Sequence, residues 1–161
     1  TEKLGGVHGL LHLVGGWRGG APLHEAPLED LDLLHTLLFR TVVHTTRAFA
    51  ADLADAGELG RFALVSAAQA QRPAADNAAY AAMKAAAEAW TIAFARELQD
   101  SGATANVLVV NALVTPRMRE ESPDKAFRTF TDVVEVAEGL VFLCSDAARR
   151  MTGQRLALHG Q

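Results

Sequence analysis

Two side chains that can move a proton, Tyr80 and Lys84, lie four residues apart in an alanine-rich segment. Residues at this spacing share one face of an α-helix, so the phenol and the ammonium are neighbours. Free tyrosine has a pKa of about 10, and a nearby cation favours the phenolate, so Lys84 is expected to lower the pKa of Tyr80. Such a pair predicts a proton donor for the reduction of a carbonyl by hydride. The same spacing also occurs by chance on solvated helices. The elements around the pair must therefore show whether it is a proton donor or a chance arrangement.

The composition is that of one globular domain covering residues 1–161. Half of the residues are hydrophobic, 21% are charged and the net charge is −4. The acidic balance argues against a nucleic-acid partner, and no apolar run approaches the roughly 18 residues of a membrane helix. No signal peptide is recognised after Thr1, so a cytoplasmic location is expected. The single cysteine, Cys144, follows an apolar run and is predicted to lie on the buried face of a helix.

Six histidines raise the question of a metal site. His8 and His12 are four apart, but they fall in a predicted strand, where this spacing does not bring two side chains onto one ion. The others have no cysteine or carboxylate partners at ligand spacing and are expected on the surface or around the site: His24, His35, His44 and His159. No metal is predicted.

Short apolar runs alternate with long amphipathic ones along the chain. Strands are predicted at residues 10–14, 62–66, 106–110 and 155–158. Helices are predicted at residues 28–56, 78–100 and 132–143, with Asp76 or Asn77 capping the second. This alternation predicts an α/β fold with a parallel sheet and right-handed crossovers. Residues 112–131 are expected to form an irregular loop, and its part at residues 116–131 is either a lid over a site or a surface excursion.

Several segments of the sequence match a known family when they are taken in order. The matching segments are Gly15-Gly16, Ser66, Tyr80-x-x-x-Lys84, Asn106-x-Leu108 leading to Thr115-Pro116, Ser145-Asp146-Ala147-Ala148, and Thr152-Gly153-Gln154. Together they resemble the short-chain dehydrogenase/reductases over essentially the whole chain. Residues 13–20 and those from Thr115 onward are similar to the dihydropteridine reductase branch. The resemblance implies a Rossmann-like parallel sheet with flanking helices, of which this chain is the C-terminal portion, the fourth to seventh strands of a doubly wound fold.

The resemblance also implies roles for individual residues. Tyr80 would protonate the substrate oxygen while NAD(P)H delivers hydride, Lys84 would hold the nicotinamide ribose and keep the phenol acidic, and Ser66 would hold the carbonyl. Gly15 and Gly16 would lie beside the adenosine ribose, and Thr115 would contact the carboxamide. The implied cofactor-binding residues are Gly15, Gly16, Tyr80, Lys84 and Thr115, with NAD or NADP as the cofactor.

Some positions depart from the family pattern. Strict spacing from the tyrosine places the family's serine at Ala67 rather than Ser66, and one residue along a strand turns a side chain to the opposite face. The dihydropteridine reductases resemble this chain in lacking that serine. Leu38 stands where the family often has an asparagine, so its usual proton-relay link is missing. The family's Pro-Gly pair after the third strand is Val110-Asn111 here.

The family's opening strand, glycine-rich turn and helix, which bind the cofactor pyrophosphate, have no match in the sequence. We therefore expect the chain to be a fragment with no dehydrogenase activity by itself. Both long helices are expected to cover one face of the sheet. The strand at residues 10–14 is expected to form an exposed apolar edge.

Two functions remain open from the sequence. The first is an NAD(P)H-dependent oxidoreductase acting on a small carbonyl-type molecule. The second is a non-catalytic binding or assembly subunit of the same fold that has lost cofactor and substrate contacts. A homodimer or homotetramer is also expected, because the helix at residues 78–95 has many small side chains, with Trp90 and Phe94 predicted on its outer face.

Overall fold

The computed structural model describes residues 6–158. The predictions for residues 1–3 and His159 lie outside the described residues. The strands are β1 (Gly9–His12), β2 (Arg61–Ala67), β3 (Thr104–Val110), β4 (Ala112–Val114), β5 (Phe130–Asp132) and β6 (Arg155–Ala157). The α-helices are α1 (Leu28–Leu34), α2 (Thr41–Asp55), α3 (Ala78–Glu97), α4 (Pro116–Glu121) and α5 (Val133–Cys144). None of the helices in this part of the chain is long and apolar enough to cross a membrane.

The central sheet has four parallel strands in the order β1-β2-β3-β6. Leu64 of β2 lies between His12 of β1 and Val107 of β3, and Leu108 of β3 pairs with Leu156 of β6. The predicted α/β fold with a parallel sheet is therefore confirmed. All four carboxyl ends point to one edge of the sheet, where ligands bind in folds of this kind.

The two faces of the sheet are covered unequally. Phe62 and Leu64 of β2 pack in one core cluster with residues of α2 and α3, whereas Ala63 packs in a second cluster with Leu140 and Leu143 of α5. Alternate strand residues point to opposite faces, so the long helices share one face and α5 covers the other. This arrangement confirms the expected layering.

Strand β1 lies at the edge of the sheet and carries exposed apolar side chains. Leu11 is 44% exposed, and Leu13 and Val14, which follow the strand, are 61% and 46% exposed. An apolar edge strand of this kind is open to pairing with another backbone. The expectation of an exposed apolar edge at this strand is therefore confirmed.

The predicted long helix at residues 28–56 is present, but its middle is not α-helical. A π-helical segment, His35–Arg40, joins α1 to α2. The Thr41 hydroxyl donates to the Leu37 carbonyl at 2.6 Å. A side chain thus adds a hydrogen bond to a backbone carbonyl of the π-helical segment. Leu38, in this segment, is 2% exposed and belongs to the core.

The helix caps differ between α3 and α5. Asn77 precedes α3 but does not cap it, because its side-chain oxygen accepts from the Ala74 N–H and its amide nitrogen donates to the Gln69 side chain. The predicted cap at Asn77 is thus wrong in its hydrogen bonding. Asp132 does cap α5, in a reciprocal capping box with Glu135.

Two further sequence predictions are wrong. Residues 112–131 are not an irregular loop, since they contain α4 and the parallel pair β4–β5. Cys144 is exposed rather than buried. Cys144 is the last residue of α5 and is exposed, although Leu140, one turn earlier on the same side of the helix, is buried.

The aromatic residues of α3 do not form an outer face. Phe94 is 5% exposed and packs edge-on against Phe62, with ring centroids 5.7 Å apart. Trp90 donates its indole N–H to the Thr46 hydroxyl at 2.9 Å and packs edge-on against Phe39 of the preceding π-helical segment. The predicted outer position of these two side chains is therefore wrong, because both are used within the fold. The homo-oligomer stays a prediction.

We expect Gly60→Ala to destabilise the fold. A Cβ at Gly60 would lie 2.7 Å from the Ala103 Cβ and would also collide with the Leu53 carbonyl oxygen. Backbone must move to admit it, at a cost of about 1–3 kcal/mol. Urea unfolding should show a lower midpoint at an unchanged slope. Gly9→Ala is the matched control, since a Cβ there meets nothing within 4 Å. Equal midpoints for the two variants would contradict the packing described.

Candidate functional site

A cleft of about 630 Å³ opens at the carboxyl ends of β1, β2 and β3. Five of the six residues singled out from the sequence line it: Gly15, Gly16, Ser66, Tyr80 and Lys84. They come from the loop after β1, the end of β2 and the first turns of α3. The structure thus brings together, in one depression, residues that are as many as 69 positions apart.

Lys84 is held at the back of this cleft. Its side chain is 7% exposed, and its ammonium donates to the Val65 carbonyl at 3.0 Å. Burial lowers its pKa from 10.5 to about 8, because a buried ammonium loses its hydration, while the nearby Glu88 carboxylate acts in the opposite direction. A fraction of Lys84 is therefore neutral near physiological pH.

Glu88 connects α3 to the far strand of the sheet. Its carboxylate accepts from the Arg155 guanidinium of β6 at 2.7 and 3.3 Å, and Glu88 is 3% exposed. Glu88 lies one turn after Lys84, so the two charged residues share a helix face. This buried pair fixes the rotation of α3 and, with it, the direction of Tyr80 and Lys84.

Tyr80 is half-buried, and burial raises its pKa above the usual 10. The expectation that Lys84 lowers this pKa is wrong for the structure described. The physical reason is that the phenolate would lose hydration in the cleft, whereas the ammonium of Lys84 is engaged by the Val65 carbonyl. Tyr80 therefore keeps its proton at physiological pH.

Ser66 lies on the same face of β2 as Phe62 and Leu64, by strand alternation, and this is the face covered by α3. It is 1% exposed, and its hydroxyl has no hydrogen-bond partner among the described residues. Ala67 takes the opposite face but also lines the cleft. Buried hydroxyls are normally paired, so an unpaired one at the wall of a cleft indicates a place for a ligand.

The two glycines at the mouth of the cleft differ in their surroundings. A Cβ at Gly15 would meet nothing within 4 Å, so it would project into open space. A Cβ at Gly16 would lie 3.2 Å from a Leu37 methyl, which is a tight contact with the π-helical segment. Gly15 thus keeps space free in the cleft, and Gly16 permits the loop to pack closely on the helix.

Thr115 is not among the residues that line the cleft. It precedes α4 and caps it, with its hydroxyl accepting from the Met118 N–H at 3.2 Å. Its expected contact with a cofactor therefore stays a prediction. The preceding segment does reach the site, since Ala112 and Leu113 of β4 line the cleft.

Sequence reasoning missed the burial of His12, which is 3% exposed. Its ring nitrogens lie 3.1 and 3.2 Å from the hydroxyls of Thr41 and Thr45 on α2. The available signal was its position in an apolar strand, where alternation sets it on the opposite face from the exposed Leu11 and Leu13. Its partners lie about 30 positions away and have no local signature.

The family model described as enoyl-(acyl carrier protein) reductase matches residues 1–160 of the sequence. The chain belongs to the short-chain dehydrogenase/reductase family. This family consists of oxidoreductases with a Rossmann-like fold, so the resemblance found from the residue pattern is confirmed.

Among curated proteins, the chain is 33% identical over 96 residues to 2,5-dichloro-2,5-cyclohexadiene-1,4-diol dehydrogenase LinX of Sphingobium indicum. The match covers 55% of this chain and 38% of that relative. The aligned part therefore spans well under half of the curated relative.

Solved structures show the same architecture. A short-chain type dehydrogenase/reductase from Mycobacterium ulcerans aligns with a TM-score of 0.84 and 25% identity, over 96% of this chain and 60% of that one. NAD⁺-bound xylitol dehydrogenase aligns with a TM-score of 0.86 over 99% of this chain and 70% of that one. Its identity is 19%, so this second likeness concerns the fold alone.

Proposed function

We propose that the intact protein is an NAD(P)H-dependent oxidoreductase that reduces a small carbonyl or imine, with Tyr80 as the proton donor and Lys84 assisting. The observation that carries this proposal is the cleft shared by Tyr80, Lys84 and Ser66 at the carboxyl edge of the sheet. An acid, a cation and an unpaired hydroxyl in one depression are the groups that carbonyl reduction needs.

The protonation state of Tyr80 suits reduction. Burial raises its pKa, so the phenol carries the proton that a developing oxyanion needs. Lys84, with a pKa of about 8, can replace that proton after it has left, because its ammonium is acidic enough to do so near neutral pH. Ser66 adds a hydroxyl that can donate to the same oxygen.

The residues of the cleft fit a nicotinamide nucleotide. An ammonium has three N–H donors, and the hydrogen bond to Val65 uses one of those of Lys84, so others remain for ribose hydroxyls. Gly15 leaves open the space that a side chain would fill. When bound, the reduced cofactor would supply hydride to the carbon atom, and the residues of this chain would supply and restore the proton.

One observation favours a second candidate, a non-catalytic binding or assembly subunit of the same fold. Leu38 is a core residue in the π-helical segment, at the position where the short-chain dehydrogenase/reductases often have an asparagine. An apolar side chain cannot pass a proton. Under this alternative, the cleft would be a remnant without cofactor affinity.

Nucleotide binding separates the two candidates. We expect NADH or NADPH fluorescence to change on addition of the intact protein. Gly15→Leu should weaken binding by about tenfold or more, because its side chain would occupy the cleft. Gly9→Leu is the matched control, since Gly9 lies at the start of β1, away from the cleft-lining residues. If neither nucleotide binds to the intact protein, the oxidoreductase proposal fails.

A further inference from the structure

Gln69 brings a side-chain amide to the cleft. It lies in the short 3₁₀-helix Ala68–Ala70 after β2 and lines the cleft together with Ser66 and Tyr80. Its side-chain oxygen accepts from the Asn77 amide nitrogen at 2.5 Å. Its own amide nitrogen has no hydrogen-bond partner among residues 6–158, and the proposed proton transfer does not use this group. The nitrogen therefore keeps its two N–H donors for a ligand.

The orientation of this amide is set by a backbone group. The Ala74 N–H donates to the Asn77 side-chain oxygen at 3.1 Å, and a backbone N–H can only donate. Asn77, which is 4% exposed, must therefore turn its amide nitrogen toward Gln69. Gln69 meets this donor with its oxygen. One N–H thus orients two amides in series, and Gln69 is left to offer a donor rather than an acceptor.

Two large apolar side chains also line the cleft and remain exposed. Trp17 belongs to the loop after β1, and Leu113 belongs to β4. Apolar side chains in a concave site bind the carbon skeleton of a ligand, whereas a few polar groups fix its orientation. The cleft therefore suits a largely apolar molecule with polar atoms at a small number of positions.

We propose that Gln69 is a specificity-determining residue, positioned by Asn77, whose amide N–H donates to a second oxygen of the substrate. This inference rests on the proposed function, in which Tyr80 and Ser66 bind the oxygen of the reacting carbonyl. The substrate class is then a small carbonyl compound with an apolar skeleton and a further acceptor oxygen. A compound without that oxygen would displace water from the Gln69 donors and leave them unpaired.

Two cyclic ketones that differ by one oxygen test this selectivity: cyclohexane-1,4-dione and cyclohexanone. We expect Gln69→Glu in the intact protein to lower the ratio of kcat/KM for the dione to kcat/KM for cyclohexanone by about tenfold, because one hydrogen bond is lost. Glutamate keeps an oxygen for the Asn77 donor and presents a second oxygen in place of the N–H groups. Gln71→Glu, at an exposed position outside the cleft, is the matched control and should leave the ratio unchanged. A ratio unaffected by Gln69→Glu would overturn the proposal.

Asn77→Asp tests the positioning of the amide. At about pH 8 the introduced carboxylate is ionised. It can still accept from the Ala74 N–H but cannot donate to Gln69, so the Gln69 amide should reverse and present its oxygen. We expect kcat/KM for the dione to fall about tenfold, whereas 4-hydroxycyclohexanone, which can donate to that oxygen, should change by less than about threefold. An equal loss for both ketones would show a purely structural role of Asn77 and contradict the proposal.

Binding without turnover separates this inference from the proposed function. We expect cyclohexane-1,4-dione to move the side-chain amide proton NMR signals of Gln69 in the intact protein to lower field, the direction of a new hydrogen bond. Cyclohexanone at the same concentration should move them less. The signals are assigned by their absence in Gln69→Glu. Equal shifts with the two ketones would overturn the role of Gln69, and this titration alone decides it if none of the three ketones is reduced. The proposed function fails by a different result, the absence of NADH and NADPH binding.

Discussion

Tyr80→Phe is expected to lower the rate of carbonyl reduction by the intact protein by about 10²–10⁴-fold, the usual contribution of a positioned general acid. The phenol is half-buried in the cleft and retains its proton because burial raises its pKa. Phenylalanine keeps the ring and removes only the hydroxyl. Stopped-flow measurement of NAD(P)H oxidation at saturating substrate gives the rate of the chemical step in both proteins.

The affinity of Tyr80→Phe for NAD(P)H shows whether the substitution disturbs the rest of the cleft. Lys84 and Gly15 stay in place, so NAD(P)H should bind to Tyr80→Phe within about threefold of the unchanged protein. A rate retained within tenfold would contradict the role of Tyr80. Tyr80 is the single tyrosine of this sequence, so the phenolate absorbance missing in the variant also shows whether its pKa is raised.

Lys84→Met is expected to abolish most activity while making the protein more stable at neutral pH. The folded protein lowers the pKa of Lys84 from 10.5 to about 8, so the unfolded chain binds this proton more tightly. The lowered pKa destabilises the folded state by about 3 kcal/mol at pH 7. Lys84→Met removes this penalty but also removes the hydrogen bond to Val65, which stabilises the fold by about 1 kcal/mol. Groups that destabilise the fold are typical of functional sites.

The pH dependence of unfolding distinguishes this cause from improved packing. A lysine with a lowered folded-state pKa destabilises fully below pH 8, and its effect fades as the pH rises from about 8 to about 10.5. Urea unfolding of the two proteins should therefore differ most at pH 7 and converge near pH 10. Ala85→Met, on the next position of the same helix, controls for the added methionine. A difference that is the same at both pH values would rule out the buried charge.

The sequence could predict the sheet and the cleft because both depend on local patterns. Alternating apolar and amphipathic segments determine a parallel sheet, and polar or glycine residues at several strand ends must meet at one edge. Gly15 and Ser66 were found at strand ends, and Tyr80 and Lys84 were found from their spacing on one face of a helix. Their common cleft follows from chain topology, without knowledge of any individual contact.

What the sequence could not predict depends on contacts between distant residues. The pKa of Tyr80 is raised rather than lowered because the phenol is buried in the cleft, and the Lys84 ammonium donates to the Val65 carbonyl, 19 positions earlier. Likewise, the pairing of Glu88 with Arg155 joins residues 67 apart. Neither contact follows from spacing on one helix, since each requires the packing of α3 on the sheet.

The sequence also could not predict which side of an apolar helix faces the core. Phe94 and Cys144 both lie in segments that are apolar on more than one side, so hydrophobicity alone did not determine which way each residue points. Residues 112–131 have too few periodic positions to predict β4, α4 and β5, which are at most six residues long. Short elements of this kind are fixed by tertiary packing.

A crystal structure of the intact protein with bound NADH or NADPH would show whether the cleft is the cofactor site. We expect the nicotinamide end of the nucleotide to lie in the cleft at the carboxyl ends of β1, β2 and β3, in contact with Tyr80 and Lys84. A nucleotide bound elsewhere, or a nicotinamide end that leaves both of these side chains without contact, would contradict it.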